Sequence, residues 1–505
     1  MGYSFLRSTP EAQGIPSSAI LSFIEEVERE HIELNAFILM RNNCIVAEGY
    51  WSPFRAGVPH RLFSAGKAVV ALAVMFAIQE GYFRLETPIP ALLGREMPEG
   101  YSDRWNRLTI YHMLTMHTGH GADTFAAMLL AEDRIQSFLS QELTYEPGTH
   151  FLYNNGVPDV LGYLVQKYTG QNVCAYLDSR LFKPLEMDGI YAADGPFGIE
   201  MPTMCTSTQS MLKMTCFLRD NGRWNGKQLL DAELVRMATS YLVPSLQNPA
   251  PEILALDTMY GYGFQIWRNS VGGFRIDGGR GQFGICIPDS GLVMAIQSNE
   301  QDQDIIPRLV WKHITNKLFA NPIAGSPADY RTLCSKLNTL SLAFRDTREG
   351  CRGSFSFLLS QSLLEVTRLD VTAGERVILK TDYAGGMEID CGTPGSGSWA
   401  PCPPGFAFPE ITDSNSISIH RAVPGCDPTK VLACCRYNDQ GALEIVFRSH
   451  GWLGGYYLTL PLKDADTQII WDTAYSYNVS RRSNPSVSLQ RRVMPDRKLI
   501  PAKLG

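Results

Sequence analysis

Apolar residues recur at helical spacing between Pro16 and Glu30, where Ile20, Phe23, Ile24 and Val27 fall on one face and Pro16 stands near the start. The period then shortens. Phe37 to Met40 and Cys44 to Ala47 are short apolar runs joined by Arg41-Asn42-Asn43, which predicts a hairpin. From about Arg61 to Ser240 the pattern is mostly helical. Within it, Ala68-Val-Val-Ala-Leu-Ala-Val-Met-Phe-Ala-Ile78 is apolar all round, as a central, buried helix would be. Four strands are predicted between Tyr262 and Asn299, at Tyr262–Trp267, Phe274–Ile276, Phe283–Ile287 and Leu292–Gln297. An amphipathic helix follows near Ile305 to Leu318. The strands show no parallel-crossover rhythm, so they are expected to join the hairpin in one antiparallel sheet. The helical middle would pack on one side of it, an α+β arrangement.

Asn321-Pro-Ile-Ala-Gly-Ser-Pro327 reads as a linker. Beyond it, β-type runs recur at intervals of about ten residues: Leu364–Val371, Arg376–Tyr383, Ser416–Ala422, Val431–Tyr437, Ala442–Arg448 and Tyr456–Leu462. Two units are expected, residues 1–322 and an all-β sandwich or barrel over 330–505. A chain of 505 residues, 45% of them hydrophobic, can fill both cores. Lys plus Arg is 45 against 51 for Asp plus Glu, so the net charge of −6 lacks the basic footprint of a nucleic-acid binder. The run from Ala68 to Ile78 is the longest apolar stretch and is too short to span a membrane. No basic start leads into an apolar segment at the N-terminus, and the 12 cysteines form no C-x-x-C pair. A soluble cytoplasmic protein with reduced thiols is expected, and its oligomeric state is left open.

Several chemistries can be set aside. There is no H-E-x-x-H, G-x-S-x-G or G-x-x-x-x-G-K-[ST]. Gly279-Arg-Gly281-Gln-Phe-Gly284 runs into a strand ended by Pro288, whereas a dinucleotide loop must open a helix. His117 and His120 lack a third ligand, so neither metal nor cofactor is expected. Ser64-Ala-Gly-Lys67 is more informative. If Ser64 begins the buried helix, Lys67 returns to its face one turn on, and the helix dipole favours developing negative charge at Ser64. Desolvation at the mouth of such a helix lowers an ammonium pKa, which suits a lysine general base. Ser-x-x-Lys recurs at Ser210-Met-Leu-Lys213, but there it reads as an ordinary half-exposed helix whose lysine points to water. Tyr153-Asn154-Asn155 precedes a second packed helix, from where its side chains either project into a cleft or fill the core and cap the helix.

Ser64-x-x-Lys67, Tyr153-x-Asn155 and a later glycine-rich strand together resemble the serine hydrolases of the penicillin-binding type. That group includes class C β-lactamases, D-alanyl-D-alanine carboxypeptidases and related esterases. Thr9-Pro-Glu-Ala-Gln-Gly-Ile15, Leu108-Thr-Ile-Tyr-His-Met-Leu-Thr-Met-His-Thr-Gly119, Phe182-Lys-Pro-Leu185 and Gly222-Arg-Trp-Asn-Gly-Lys-Gln228 are similar to family text. The resemblance spans roughly residues 8 to 320 and implies a β-lactamase/transpeptidase-like fold, an antiparallel sheet flanked by helices plus a helical subdomain. It implies Ser64 as the acylated nucleophile, Lys67 as its base, Tyr153 in proton transfer, and Asn155 holding Lys67 and a substrate carbonyl. The oxyanion hole would use the N–H of Ser64 and one after Gly278, at Gly279.

The third motif departs from the family. Where antibiotic-processing members carry Lys-Thr-Gly or His-x-Gly, this chain has Asp277-Gly278-Gly279-Arg280, in a register open by one residue. A carboxylate there would repel the carboxylate of a β-lactam by roughly 4 kcal/mol at ~4 Å before screening, unless Arg280 restores the charge. The expectation is a hydrolase of small esters or amides, with a β-lactamase or D,D-peptidase as one alternative and a non-catalytic ligand-binding protein keeping the fold as another.

Overall fold

The computed structural model describes residues 5–188, 190, 204–245, 259–300, 302–363, 366–382, 386–404, 431–449, 455–462, 466–473 and 498–504. Its first sheet has seven strands: β1 (Leu6–Arg7), β2 (Leu34–Arg41), β3 (Cys44–Tyr50), β4 (Trp267–Arg268), β5 (Phe274–Gly278), β6 (Gln282–Ile287) and β7 (Leu292–Ser298). Their spatial order is β1-β3-β2-β7-β6-β5-β4. The β2–β3 hairpin turns through Asn42 and Asn43, at φ 47° and 64°, a left-handed pair that asparagine tolerates and that matches strand twist. Leu292 to Ser298 then pairs antiparallel with Arg41 to Leu34, joining residues some 250 positions apart in one sheet.

Every residue of β2 is buried because both faces of the sheet are covered. Phe37, Leu39, Phe283, Ile285 and Ile296 share a core with Ile20 and Phe23 of helix α1 (Ser17–Arg29), which covers one face. Ile38, Met40, Ile276, Val293 and Ala295 face the helical region. There α2 (Gly66–Gln79) is buried from end to end save Ile78 and Gln79, α3 (Val157–Thr169) packs on it, and α4 (Thr208–Arg219) lies against the sheet. No helix among the described residues is long and apolar enough to cross a membrane.

Three features differ from the sequence reading. The sheet is mixed, because β1 runs parallel to β3 at Leu6↔Cys44 and Arg7↔Ile45; two residues are too few to show a period. The strand expected over Tyr262–Trp267 is mostly a tight loop. Gly263 N–H donates to the Ile266 carbonyl at 2.8 Å, Gln265 takes φ 59°, and a Cβ on Gly263 would fall 2.0 Å from the Ala238 carbonyl oxygen. Third, the chain beyond the linker opens with a helix over Pro327–Leu337, whose Leu333 and Leu337 pack in the α1 core beside Leu340. We therefore propose that the boundary between the two units falls after Leu340, not at 322–330.

Two short pairs, His60–Arg61 with Cys205–Thr206 and Arg223–Trp224 with Lys227–Gln228, stand apart, and the strands beyond residue 350 form one ten-stranded sheet. Gly353–Leu363, Val366–Ala373, Val377–Thr381 and Met387–Asp390 lie to one side of Lys498–Leu504, and Asp466–Thr473, Gly455–Leu460, Leu443–Ser449, Val431–Tyr437 and Ala400–Pro401 to the other. Leu379 and Ile389 from one end share a core with Ala433 and Ile445 near the other. The run expected at Ser416–Ala422 lies outside the described residues.

Candidate active site

Ser64 sits in a single 3-10 turn, Phe63–Ala65, that leads directly into α2. Phe63 adopts φ 49°, an unfavourable conformation for a bulky side chain and of the kind that tends to occur at functional turns. The end of β5 presses on this turn. A Cβ on Gly278 would meet the Leu62 carbonyl oxygen at 2.1 Å and the Ala65 nitrogen at 2.9 Å, so only glycine lets the strand approach.

Lys67 is one turn further on, 1% exposed, and its ammonium lies 2.9 Å from Ser64 Oγ. Its second partner comes from 88 residues away: Nζ donates to Asn155 Oδ1 at 2.8 Å. Burial drives the Lys67 pKa down to about 7, against the opposing pull of Asp159, Asp123 and Asp277. A large share of this amine is therefore neutral at pH 7. The Tyr153 ring stands 4.7 Å from Nζ, stacks on Trp267 at 5.4 Å, and carries a hydroxyl hydrogen-bonded to Ser64. Burial pushes that phenol well above its ordinary value, although the bond to Ser64 works the other way. Tyr153 stays protonated at neutral pH, so it can pass a proton on while Lys67 takes the first one.

Asp123, which the sequence reading missed, sets the direction of the Asn155 amide. It accepts from Asn155 N–H at 2.8 Å and from Nδ2 at 2.7 Å, which leaves Oδ1 facing Lys67. Asn154 is a tie within the loop: its Oδ1 accepts from Thr124 Oγ1 at 2.9 Å and from Gly156 N–H at 3.0 Å. Nothing local in the sequence marks Asp123, because its role depends on a loop 32 residues away. Asp123→Ala is expected to lower kcat roughly tenfold by releasing Asn155. It also removes a negative charge that raises the Lys67 pKa, so the midpoint of the kcat/KM pH profile should move below 7. An unchanged rate and midpoint would exclude this role.

The third motif is also paired differently from the expectation. Asp277 is 8% exposed and accepts from Arg275 Nε at 2.8 Å and Gln303 Nε2 at 3.2 Å, while Arg275 is 1% exposed. Arg275 pairs with the carboxylate from which repulsion of a β-lactam was expected, and so opposes that repulsion. Arg280, at φ 63°, donates to Asn299 Oδ1 at 2.7 Å and lies 6.0 Å from the Phe63 ring. Of the second Ser-x-x-Lys pair, Lys213 does not point to water. It is 5% exposed and donates to the Glu186 carbonyl, while Ser210 Oγ accepts from Asp188 N–H at 2.9 Å. The His117 and His120 rings are packed against Phe151 and Phe138.

A mixed sheet between two helical layers, with Ser64, Lys67 and Tyr153 brought together where a buried helix begins, is a β-lactamase/transpeptidase-like fold. A model of the beta-lactamase family matches residues 23–308, more than half of the chain, and the protein belongs to that family. An uncharacterized protein of Alkalihalophilus pseudofirmus is 26% identical over 241 residues, 42% of this chain and 66% of that protein. Esterase EstB of Burkholderia gladioli is 30% identical over 152 residues, 27% of this chain and 38% of the esterase. The chain thus matches less than two thirds of the length of each. A penicillin-binding protein homolog of Caulobacter crescentus superposes at a TM-score of 0.49 with 17% identity, over 60% of this chain and 99% of that one.

Proposed function

We propose that the protein is a serine hydrolase of small esters or amides that works through an acyl-enzyme on Ser64. The observation that carries this reading is the buried Lys67 amine, held between Ser64 Oγ and Asn155 Oδ1 with its pKa lowered to about 7. Neutral Lys67 takes the Ser64 proton as Oγ bonds to the substrate carbonyl carbon. The backbone N–H groups of Ser64 and Gly279 receive the oxyanion. As the carbonyl–leaving-group bond breaks, the proton passes through Tyr153 to the departing alcohol or amine. Water then gives a proton to Lys67, attacks the acyl carbon and releases the acid, and Ser64 recovers its proton.

An ester is favoured over a β-lactam because no lysine or histidine stands at position 277, where the side chain is already occupied by Arg275. The Burkholderia gladioli relative is itself named an esterase. Turnover of a chromogenic acetyl ester is expected to exceed that of a chromogenic cephalosporin by at least about a hundredfold in kcat/KM. The ester profile should rise with pH through about 7 as Lys67 loses its proton. Comparable cephalosporin turnover would favour the β-lactamase alternative. A parent that reacts with neither substrate nor a fluorophosphonate would favour a binding protein.

A further inference from the structure

The ten-stranded β unit reaches the third motif through a chain of buried side chains. Arg448, on strand Leu443–Ser449, is 3% exposed and donates from Nη1 to Glu33 Oε1 at 2.6 Å and from Nη2 to the Tyr457 hydroxyl at 2.7 Å. Glu33, 6% exposed, immediately precedes β2, so this ion pair joins residues 415 positions apart. The same carboxylate oxygen accepts from Asn299 Nδ2 at 3.1 Å, and the Asn299 N–H donates to the Glu33 carbonyl at 2.9 Å. With its donor end on Glu33, the Asn299 amide turns Oδ1 to Arg280 Nη1 at 2.7 Å. Arg280 adjoins Gly279, the second oxyanion donor in the reading above. Its own carbonyl is held by the Ser298 hydroxyl, by Glu300 N–H at 3.2 Å and by Gln282 Nε2 at 3.3 Å.

We propose that Arg448 is a positioning residue for the active site, by which the C-terminal β unit holds Arg280 and the adjoining oxyanion strand through Glu33 and Asn299. This rests on the hydrolase reading. The order of charges explains why the link has to be complete. Arg448 compensates Glu33, and a compensated Glu33 can share its oxygen with a neutral amide. Without Arg448, a buried Glu33 carboxylate is left with Arg280 one amide away. Arg280 would be drawn toward Glu33, and Gly279 and the Phe63 ring would lose their fixed neighbour. A displacement of about 1 Å in a reacting geometry can change rates by up to a hundredfold.

The test uses the full chain. Arg448→Met is expected to lower kcat for a neutral acetyl ester by roughly tenfold with KM changed less than twofold. Arg448→Lys should recover part of the loss. Trp399→Phe removes a different contact between the units, the indole N–H on the Ser52 carbonyl at 3.0 Å, and should leave kcat at the parental value. Arg448→Met strands a buried carboxylate and can fail to fold. Asn299→Ala removes no charge, breaks the same chain, and should show the same loss of kcat with parental circular dichroism. Parental kcat in folded Asn299→Ala, or an equal loss in Trp399→Phe, would overturn the relay while leaving a labelled, active parent. A parent unlabelled at Ser64 and inert to esters would overturn both readings.

Discussion

Ser64→Ala is expected to reduce ester turnover by about 10⁴-fold or more, and to abolish covalent labelling by a fluorophosphonate, while Ser210→Ala stays close to the parent in both. The two serines share a spacing but not an environment. Ser64 Oγ has an amine 2.9 Å away whose pKa is lowered to about 7, and it shares a hydrogen bond with the hydroxyl of Tyr153. Ser210 Oγ accepts from Asp188 N–H, and the lysine three residues on is engaged by the Glu186 carbonyl. A hydroxyl without a base within reach stays a poor nucleophile. Intact-mass measurement after probe treatment, with acetyl-ester kinetics beside it, checks both variants. Persistent labelling of Ser64→Ala at full stoichiometry would move the nucleophile elsewhere.

The parts of this site that could be read from sequence are those with a local signature. The segment from Ala68 to Ile78 is apolar on every side, and this set Ser64-x-x-Lys67 apart from the same spacing at Ser210. The β2–β3 hairpin was announced by Asn42-Asn43 between two apolar runs. What escaped depends on contacts across the chain. Asp123 acquires its role from a loop that folds back onto it, and Arg275 changes the meaning of Asp277 because two positions along a strand share a face. Lys213 carried no mark of burial, since its cover is the Glu186 carbonyl and not an apolar neighbour in sequence. The loop at Tyr262 contains strand-forming residues, but the close approach of Gly263 to Ala238 overrides their preference. The domain division followed the Pro- and Gly-rich composition of 321–327, yet the next helix is amphipathic and has a core within reach on α1.

Lys67→Met should eliminate catalysis and at the same time stabilise the fold. Burial holds the Lys67 pKa at about 7 in the folded chain, whereas the unfolded chain returns it to 10.5. Between those values the unfolded state binds more protons, so the parent gains stability as pH rises from about 7 to 10.5 and loses it as pH falls. Below about 7 the folded state also takes up the proton and the penalty stops growing. At about 1.4 kcal/mol per unit, the cost near neutral pH amounts to a few kcal/mol. Methionine fills a similar volume without an ionisable group. The loss of two hydrogen bonds offsets part of the gain, about 1 kcal/mol each, and Asn155 is exposed enough for water to replace its partner. A net rise of a few degrees in Tm is expected at pH 7, at roughly 1–2 °C per kcal/mol for a unit of this size. The difference from the parent should shrink toward pH 10 and vanish only above about 10.5, where Lys67 is neutral in both folded and unfolded chains. Thermal melts of both proteins across that range, with ester turnover measured alongside, decide the matter. A Lys67→Met protein that is less stable at pH 7, or whose difference from the parent is the same at every pH, would mean that this lysine is not held in a desolvated, proton-accepting state.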